Sequence, residues 1–350
     1  MRSSIMGRLS VAIVIATAVL VGPLAPTPPA KAAVTVVYVV PGGAGTQDGS
    51  SWANAKDLLP AAFYAVAGQQ LWVKAGTYKP YILAGGIRYF NLWGGVEIYG
   101  GFDGTETDLS QRNWLANPTI LDGNIGDPGV DTDNASHVVE TYNANGSVLD
   151  GFTIKNGYAN SGGLSYNYGA GMYLDGGNPQ LSHLVITQNT AHYGGGMYVL
   201  NGTPTLTDVT ISNNFAAEQG GGMWAHHAVL DGVEVTDNVA SWQGGGIYSL
   251  STLAIDSSTI TGNEADGAGP IDFGEGGGGG LYVLGDLDLR NSGVSGNTAG
   301  GYGGGIYLRD GSNTHQMNIA NVFVTGNVAQ NGPHWSVSVA GLSPGSVVRI

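Results

Sequence analysis

Three groups of residues in this chain have the types and spacing to do chemistry. The first is acidic: Glu264-Ala265-Asp266 and Asp272-Phe273-Gly274-Glu275 sit close together, with Asp286, Asp288 and Arg290 shortly after. A polysaccharide lyase or glycoside hydrolase needs carboxylates and a base of this kind, one group taking a proton and another delivering it. Glu264, Asp266, Asp272, Glu275 and Arg290 are the catalytic candidates on that ground; a solvated acidic loop accounts for the same residues without catalysis. The second group is Asp122, Asn124, Asp127, Asp131 and Asp133. Such an oxygen-rich run suits Ca²⁺, which takes six to eight oxygens, although the spacing does not match an EF-hand. A Gly/Asp turn cluster is the alternative, and no cofactor other than Ca²⁺ is expected. The third group is aromatic. Tyr173, Tyr198, Trp224, Tyr248, Tyr282 and Tyr307 each follow an aliphatic residue, and a ring with an open face stacks on sugar rings. His226-His227 has neither a spaced third ligand nor a companion carboxylate, so zinc is not expected. Cysteine is absent, and there is no serine-histidine-aspartate context or phosphate loop.

The elements that position these residues are repeats. A Gly-rich block ending in aliphatic-aromatic recurs at Gly169–Tyr173, Gly194–Tyr198, Gly220–Trp224, Gly244–Tyr248, Gly278–Tyr282 and Gly303–Tyr307. The aliphatic residues Met172, Met197, Met223, Ile247, Leu281 and Ile306 are 25, 26, 24, 34 and 25 residues apart. A second block, a β-branched residue followed two or three positions later by Asn, recurs in step and ends at Asn189, Asn214, Asn238, Asn263, Asn297 and Asn327. Between the blocks lie short alternating stretches bounded by Gly, Asn and Asp, which predict two or three strands per unit. One unit cannot bury its own apolar face, whereas stacked units can, so each repeat is one coil of a solenoid. Asn tolerates the left-handed region and can form an amide ladder along the axis, which makes the Asn series structural. The 34-residue unit carries the insert at 264–275, the departure from the regular coil where an active site would sit.

Side chains alternate along a strand, so an inward aliphatic residue turns the following aromatic outward. Bordered by Gly171, Gly196, Gly222, Gly246, Gly280 and Gly305, the six rings would form a flat uncovered strip roughly 24 Å long at the strand spacing. The alternative is that they stack only on one another and stiffen the solenoid.

At the N-terminus, Arg2 and Arg8, an apolar run from Leu9 to Val21 and Ala30-Lys31-Ala32 read as a cleavable secretory signal over residues 1–32. The apolar run is shorter than the roughly 20 residues a membrane span needs, so no integral membrane span is expected after cleavage. Removing Arg2, Arg8 and Lys31 leaves 9 basic and 26 acidic residues, a formal charge of −17. Such a surface repels nucleic acid and anionic lipid and makes acidic polysaccharide a poor partner unless Ca²⁺ bridges the two. Residues 33–95 hold a strand and an apolar stripe at helical spacing (Leu58, Leu59, Ala62, Phe63, Val66), expected to cap the open end of the solenoid. Residues 96–330 are the β-helix, and 331–350 a terminal strand or the start of a further part.

Trp72-Val73-Lys74-Ala75-Gly76-Thr77-Tyr78, Tyr99-Gly100-Gly101-Phe102-Asp103-Gly104-Thr105-Glu106-Thr107 and Gln111-Arg112-Asn113-Trp114 resemble the opening of bacterial extracellular right-handed parallel β-helix repeat proteins. The Gly-rich and Asn blocks are similar to the repeats of polymorphic outer-membrane proteins of chlamydial type, within the pectate-lyase-like fold. That resemblance implies an all-β right-handed parallel β-helix with an N-terminal helical cap, exported to the cell surface or secreted. The expected partner is a polysaccharide, a cell-surface glycan or a surface protein, bound without catalysis in an adhesin-like manner. A polysaccharide lyase or glycoside hydrolase is the second reading, and a structural envelope or biofilm spacer the third.

Overall fold

The computed structural model describes residues 34–81, 88–160, 167–267, 276–309 and 316–330, and the backbone of the strands Val337–Ala340 and Val348–Arg349. The leader at 1–32 lies outside the described residues.

The chain winds as a right-handed parallel β-helix. Each regular coil has four short strands, against the two or three expected. In one coil these are β1 (Met172–Asp175), β2 (Gln180–Ser182), β3 (Val185–Thr187) and β4 (Thr190–Tyr193). Each pairs in parallel with its equivalent in the coils before and after, as Met172 does with Val139 and Met197. The result is four faces, numbered here by the strand that stands on each. The first two merge into one 18-stranded sheet because Met223–Asp231 and Ile247–Asp256 run from face to face. The third and fourth faces are sheets of 9 and 7 strands.

Each face sends a column of like residues inward. On the first face Met172, Met197, Met223, Ile247, Leu281 and Ile306 are in register and fully buried. The third face contributes Ile154, Ile186, Ile211, Val235, Ile260 and Val294, and the fourth contributes only alanine from Ala159 to Ala329. Each large aliphatic side chain removed from water stabilises the fold by about 1.5–3 kcal/mol. No coil could do this alone.

The bends need left-handed backbone, which explains the remaining sequence pattern. Between the third and fourth faces the left-handed residue is Gln188, Asn213, Asp237, Gly262, Gly296 or Gly326, with φ between 53° and 66°. The ladder asparagine is the next residue, so the expectation that Asn itself takes this conformation is corrected. Its work is hydrogen bonding. The Asn189, Asn214, Asn238, Asn263 and Asn297 Nδ2 groups each donate to the Oδ1 of the next Asn along the axis at 2.8–3.0 Å. The backbone N–H groups of the same five residues donate to those oxygens as well. The ladder ends at Gly157, whose N–H donates to Asn189; Asn156 takes the left-handed position beside it.

The cap is smaller than the apolar stripe predicts. It comprises a 3₁₀ turn, Trp52–Asn54, and α1 (Leu58–Phe63), started by the Asp57 carboxylate accepting from the Leu58 N–H. Leu58, Leu59 and Ala62 are buried, while Val66 is 60% exposed, beyond the helix.

Candidate functional site

The departure from the regular coil that builds a site is a loop that spacing alone did not single out. In later coils two residues carry the chain from the second face to the third, as His183 and Leu184 do. Residues 103–118 make the same passage between the second-face strand Glu97–Phe102 and the third-face strand Thr119–Asp122. The Glu106 carboxylate accepts from the N–H groups of Asp103, Gly104 and Thr105 at 2.7–3.0 Å. The Trp52 indole donates to the Glu106 carbonyl at 2.9 Å. A capped 3₁₀ turn, Leu109–Gln111, then aims Arg112 and Trp114 back over the coils. Glycine makes room for them: a Cβ on Gly101 would lie 2.6 Å from the Trp114 Cα, and one on Gly151 3.0 Å from the Arg112 guanidinium.

Under this loop lies a chain of charges. Arg112 Nη2 donates to Asp150 Oδ1 at 2.7 Å, with side chains only 9% and 10% exposed. The guanidinium also donates to the Gly100 carbonyl at 3.1 Å and lies about 5 Å from the centroids of the Tyr99 and Trp114 rings. The Ser182 hydroxyl donates to Asp150 Oδ2 at 2.8 Å, and His183 Nδ1 is 3.1 Å from Oδ1. A carboxylate only accepts, so His183 Nδ1 donates the hydrogen of this contact. His183 occupies a left-handed position at φ 50°, and its ring centroid lies 4.1 Å from that of Trp114. Nε2 is 3.9 Å from Asp208 Oδ2, whose carboxylate is largely exposed.

These side chains open onto a groove of about 460 Å³ bounded by Trp114, Leu115, Pro118, His183, Val185 and Asp208, with Thr153 and Thr210 on its floor. Leu115 is 86% exposed. A concave site of this size, mostly apolar with a few convergent polar groups, suits a small molecule or one stretch of a polymer.

The residues singled out from sequence are placed differently. The six rings Tyr173, Tyr198, Trp224, Tyr248, Tyr282 and Tyr307 do stack in register, with centroids 4.4–6.0 Å apart. The strip is not uncovered: Tyr198, Trp224, Tyr248 and Tyr282 are at most 7% exposed, and only the end rings Tyr173 and Tyr307 are half-buried. Tyr168, Tyr193, Leu200 and Leu284 pack over the column, and Gln219 accepts from the Trp224 indole. Nor do the bordering glycines lie bare outside. A Cβ on Gly196 would lie 2.7 Å from the Gly222 carbonyl and 2.9 Å from the Asn214 Nδ2, so the space is filled by the next coil and the Asn ladder. Burial raises the Tyr198 and Tyr248 hydroxyls above the ordinary phenol range.

Among the described residues of the acidic insert, Glu264 and Asp266 stand away from Arg290. Glu264 stands on the fourth face, paired with Val239 and Thr298. The chain crosses the first face before reaching Arg290 on the second, where Arg290 pairs with Asp288 at 2.7 Å. Asp266 is exposed, and Asp272 and Glu275 lie outside the described residues. At the other acidic run, Asp122 Oδ1 accepts from the Asn124 N–H and the Asn156 amide, and Asp133 accepts from the Asp127 N–H. Asp131 and Asp133 share a 3₁₀ turn. Among the described residues no group of three or more His, Cys, Asp or Glu is placed to hold a metal ion, and no helix is long and apolar enough to cross a membrane.

No protein-family profile and no curated sequence matches the chain. Among solved structures, that of pectate lyase Pel9A matches with a TM-score of 0.55 at 16% identity, over 89% of this chain and 78% of that one. This is a pectate-lyase-like β-helix. At that identity the likeness establishes the fold alone. Escherichia coli YbhC matches at 12% identity over 84% of this chain and 75% of that one, with a TM-score of 0.30 that carries no argument.

Proposed function

We propose that this is an exported β-helix protein that binds a neutral polysaccharide in the groove beneath the 103–118 loop. The observation that carries the reading is the Trp114–His183 pair, 4.1 Å apart at the groove wall and fixed from behind by Asp150 and Arg112. Aromatic edges and Leu115 offer apolar surface to a sugar ring. His183, Asp208, Thr153 and Thr210 offer polar partners to its hydroxyl groups. A formal charge of −17 after leader removal disfavours polyuronates and leaves neutral glycans as the fitting class. The leader motif at 1–32 and the repeat's resemblance to those of bacterial surface β-helices support export.

Affinity electrophoresis through gels containing soluble β-glucan, xylan or galactomannan tests the reading. Retardation by at least one of them is expected, abolished by Trp114→Ala and by His183→Ala. The triple change of Tyr198, Trp224 and Tyr248 to Ala should lower the melting temperature instead, since three of those buried rings support the fold. Migration unaffected by every polysaccharide, or retardation that survives Trp114→Ala, would end the proposal.

A further inference from the structure

The aromatic column ends at Tyr173, and the coil before it carries a second constellation in register with that ring. Val139 and Thr141 point into the core, as do Met172 and Leu174 on the next coil. Glu140, Tyr142, Tyr173 and Asp175 therefore share the outer surface of the first face. Register places Glu140 beside Tyr173 and Tyr142 beside Asp175, so the two carboxylates occupy diagonal positions. With adjacent strands about 4.8 Å apart and about 3.3 Å per residue, their Cα positions are roughly 8 Å apart, close enough for the Asp175 charge to act on the Glu140 carboxyl. In an inverting glycoside hydrolase an acid and a base of this kind flank one glycosidic bond.

The two carboxylates have unequal surroundings. Glu140 is 5% exposed and accepts from the Tyr142 and Tyr89 hydroxyls. Burial holds its carboxyl above the ordinary range, with the Asp175 charge adding to the effect. Asp175 is part exposed, positioned by the Asn201 amide at 2.8 Å. Two aromatic surfaces flank them: Tyr142, 44% exposed, and the half-buried Tyr173 ring, backed by Tyr198 and by His137 at 5.3 Å. A sugar stacked on Tyr142 would bring its glycosidic oxygen toward Glu140 and its opposite side toward Asp175.

We infer that Glu140 and Asp175 are the general acid and general base of a glycoside-hydrolysing site for neutral polysaccharide, on a different face from the groove. In the step, Asp175 takes a proton from water as the water oxygen bonds to the anomeric carbon. The bond from that carbon to the glycosidic oxygen breaks, and the departing oxygen takes the Glu140 proton. The products are a hemiacetal of inverted configuration and a free hydroxyl, and solvent returns the proton from Asp175 to Glu140.

The test is reducing-end release from laminarin, xylan, galactomannan and amylose by the purified protein and by Glu140→Gln, Asp175→Asn and Trp114→Ala. Release from at least one polymer is expected, falling at least about 100-fold in both carboxylate variants, the usual scale for losing an acid or base. Because Glu140 is buried, its variant counts only where its melting temperature does not fall below that of the wild type; Asp175→Asn, nearer the surface, gives the second reading. Proton NMR of the first-formed anomer should show inversion. The inference falls if the wild-type protein releases no reducing ends, if both carboxylate variants keep wild-type release, or if configuration is retained. Groove binding without release overturns this inference alone, whereas release without binding, unaffected by Trp114→Ala, overturns the groove reading alone.

Discussion

Replacing Asn238 by Ala cuts the amide ladder at its middle. Asn238 Nδ2 donates to the carbonyls of Ile211 and Thr236 at 2.8 and 3.0 Å and to Asn263 Oδ1 at 3.0 Å. Its own Oδ1 accepts the backbone N–H and the amide of Asn214, both at 3.0 Å. Asn238 is fully buried, so water cannot replace these partners without opening the coil. One backbone group is stranded by the change, the Asn214 N–H; the Ile211 carbonyl stays in the strand ladder opposite Val235, and the Thr236 carbonyl keeps the Asn213 N–H. The Asn214 amide keeps its bond to Ile186, and Asn263 keeps the bond from the Asn238 backbone. At about 1–3 kcal/mol for a stranded group, the expected loss is about 1–3 kcal/mol. Equilibrium urea unfolding followed by far-UV circular dichroism measures it. The same change at Asn327, the last residue of the ladder, removes only one Asn neighbour and should cost less than the central change. A central loss below about 1 kcal/mol, or equal losses at both positions, would refute the claim that the ladder couples coil to coil.

His137 is buried, and burial lowers its imidazole below 6.5. The unfolded chain then binds more protons just below pH 6.5, so stability is complete above that value and declines as pH falls through it. Melting curves between pH 7.5 and 5 should show this decline, smaller in His137→Gln. Glu140 works in the opposite sense. Its raised carboxyl makes the folded state bind the extra proton, so its contribution is present at low pH and is lost as pH rises from 4.5 through the folded value; Glu140→Gln should flatten that limb. Gly196→Ala pushes a methyl group against the Gly222 carbonyl and the Asn214 amide, and a loss of at least about 1–3 kcal/mol in urea unfolding is expected. Asp150→Asn leaves the buried Arg112 guanidinium without its counter-charge, so a loss of about 3–5 kcal/mol in urea unfolding is expected, with polysaccharide retardation falling several-fold.

The fold was legible because a solenoid writes its register into the sequence. Met172 and Met197 align in space for the same reason they align in the repeat: each coil contacts only its neighbours. The Asn ladder was readable on the same grounds, and its one mistaken detail, which residue is left-handed, concerned neighbours one position apart. The sites were harder to read because they break the period. Arg112 comes from a loop, Asp150 closes a second-face strand, and His183 takes a bend position that Asp208 and Asn291 fill in other coils. Only stacking brings Asp150 within 3.1 Å of a residue 33 positions later. A histidine at a bend position otherwise held by Gly, Ser, Asn or Asp was the available signal, and so was the length of the 103–118 excursion. The aromatic column shows the converse error. Alternation correctly set its rings outside the coil, but exposure depends on what crosses above, and Tyr168, Tyr193 and Gln219 come from corners that periodicity does not describe. A regular pattern thus predicts which residues line up. It does not say whether the line is covered, and the Glu140–Asp175 pair stands out because it lies where the covered column ends.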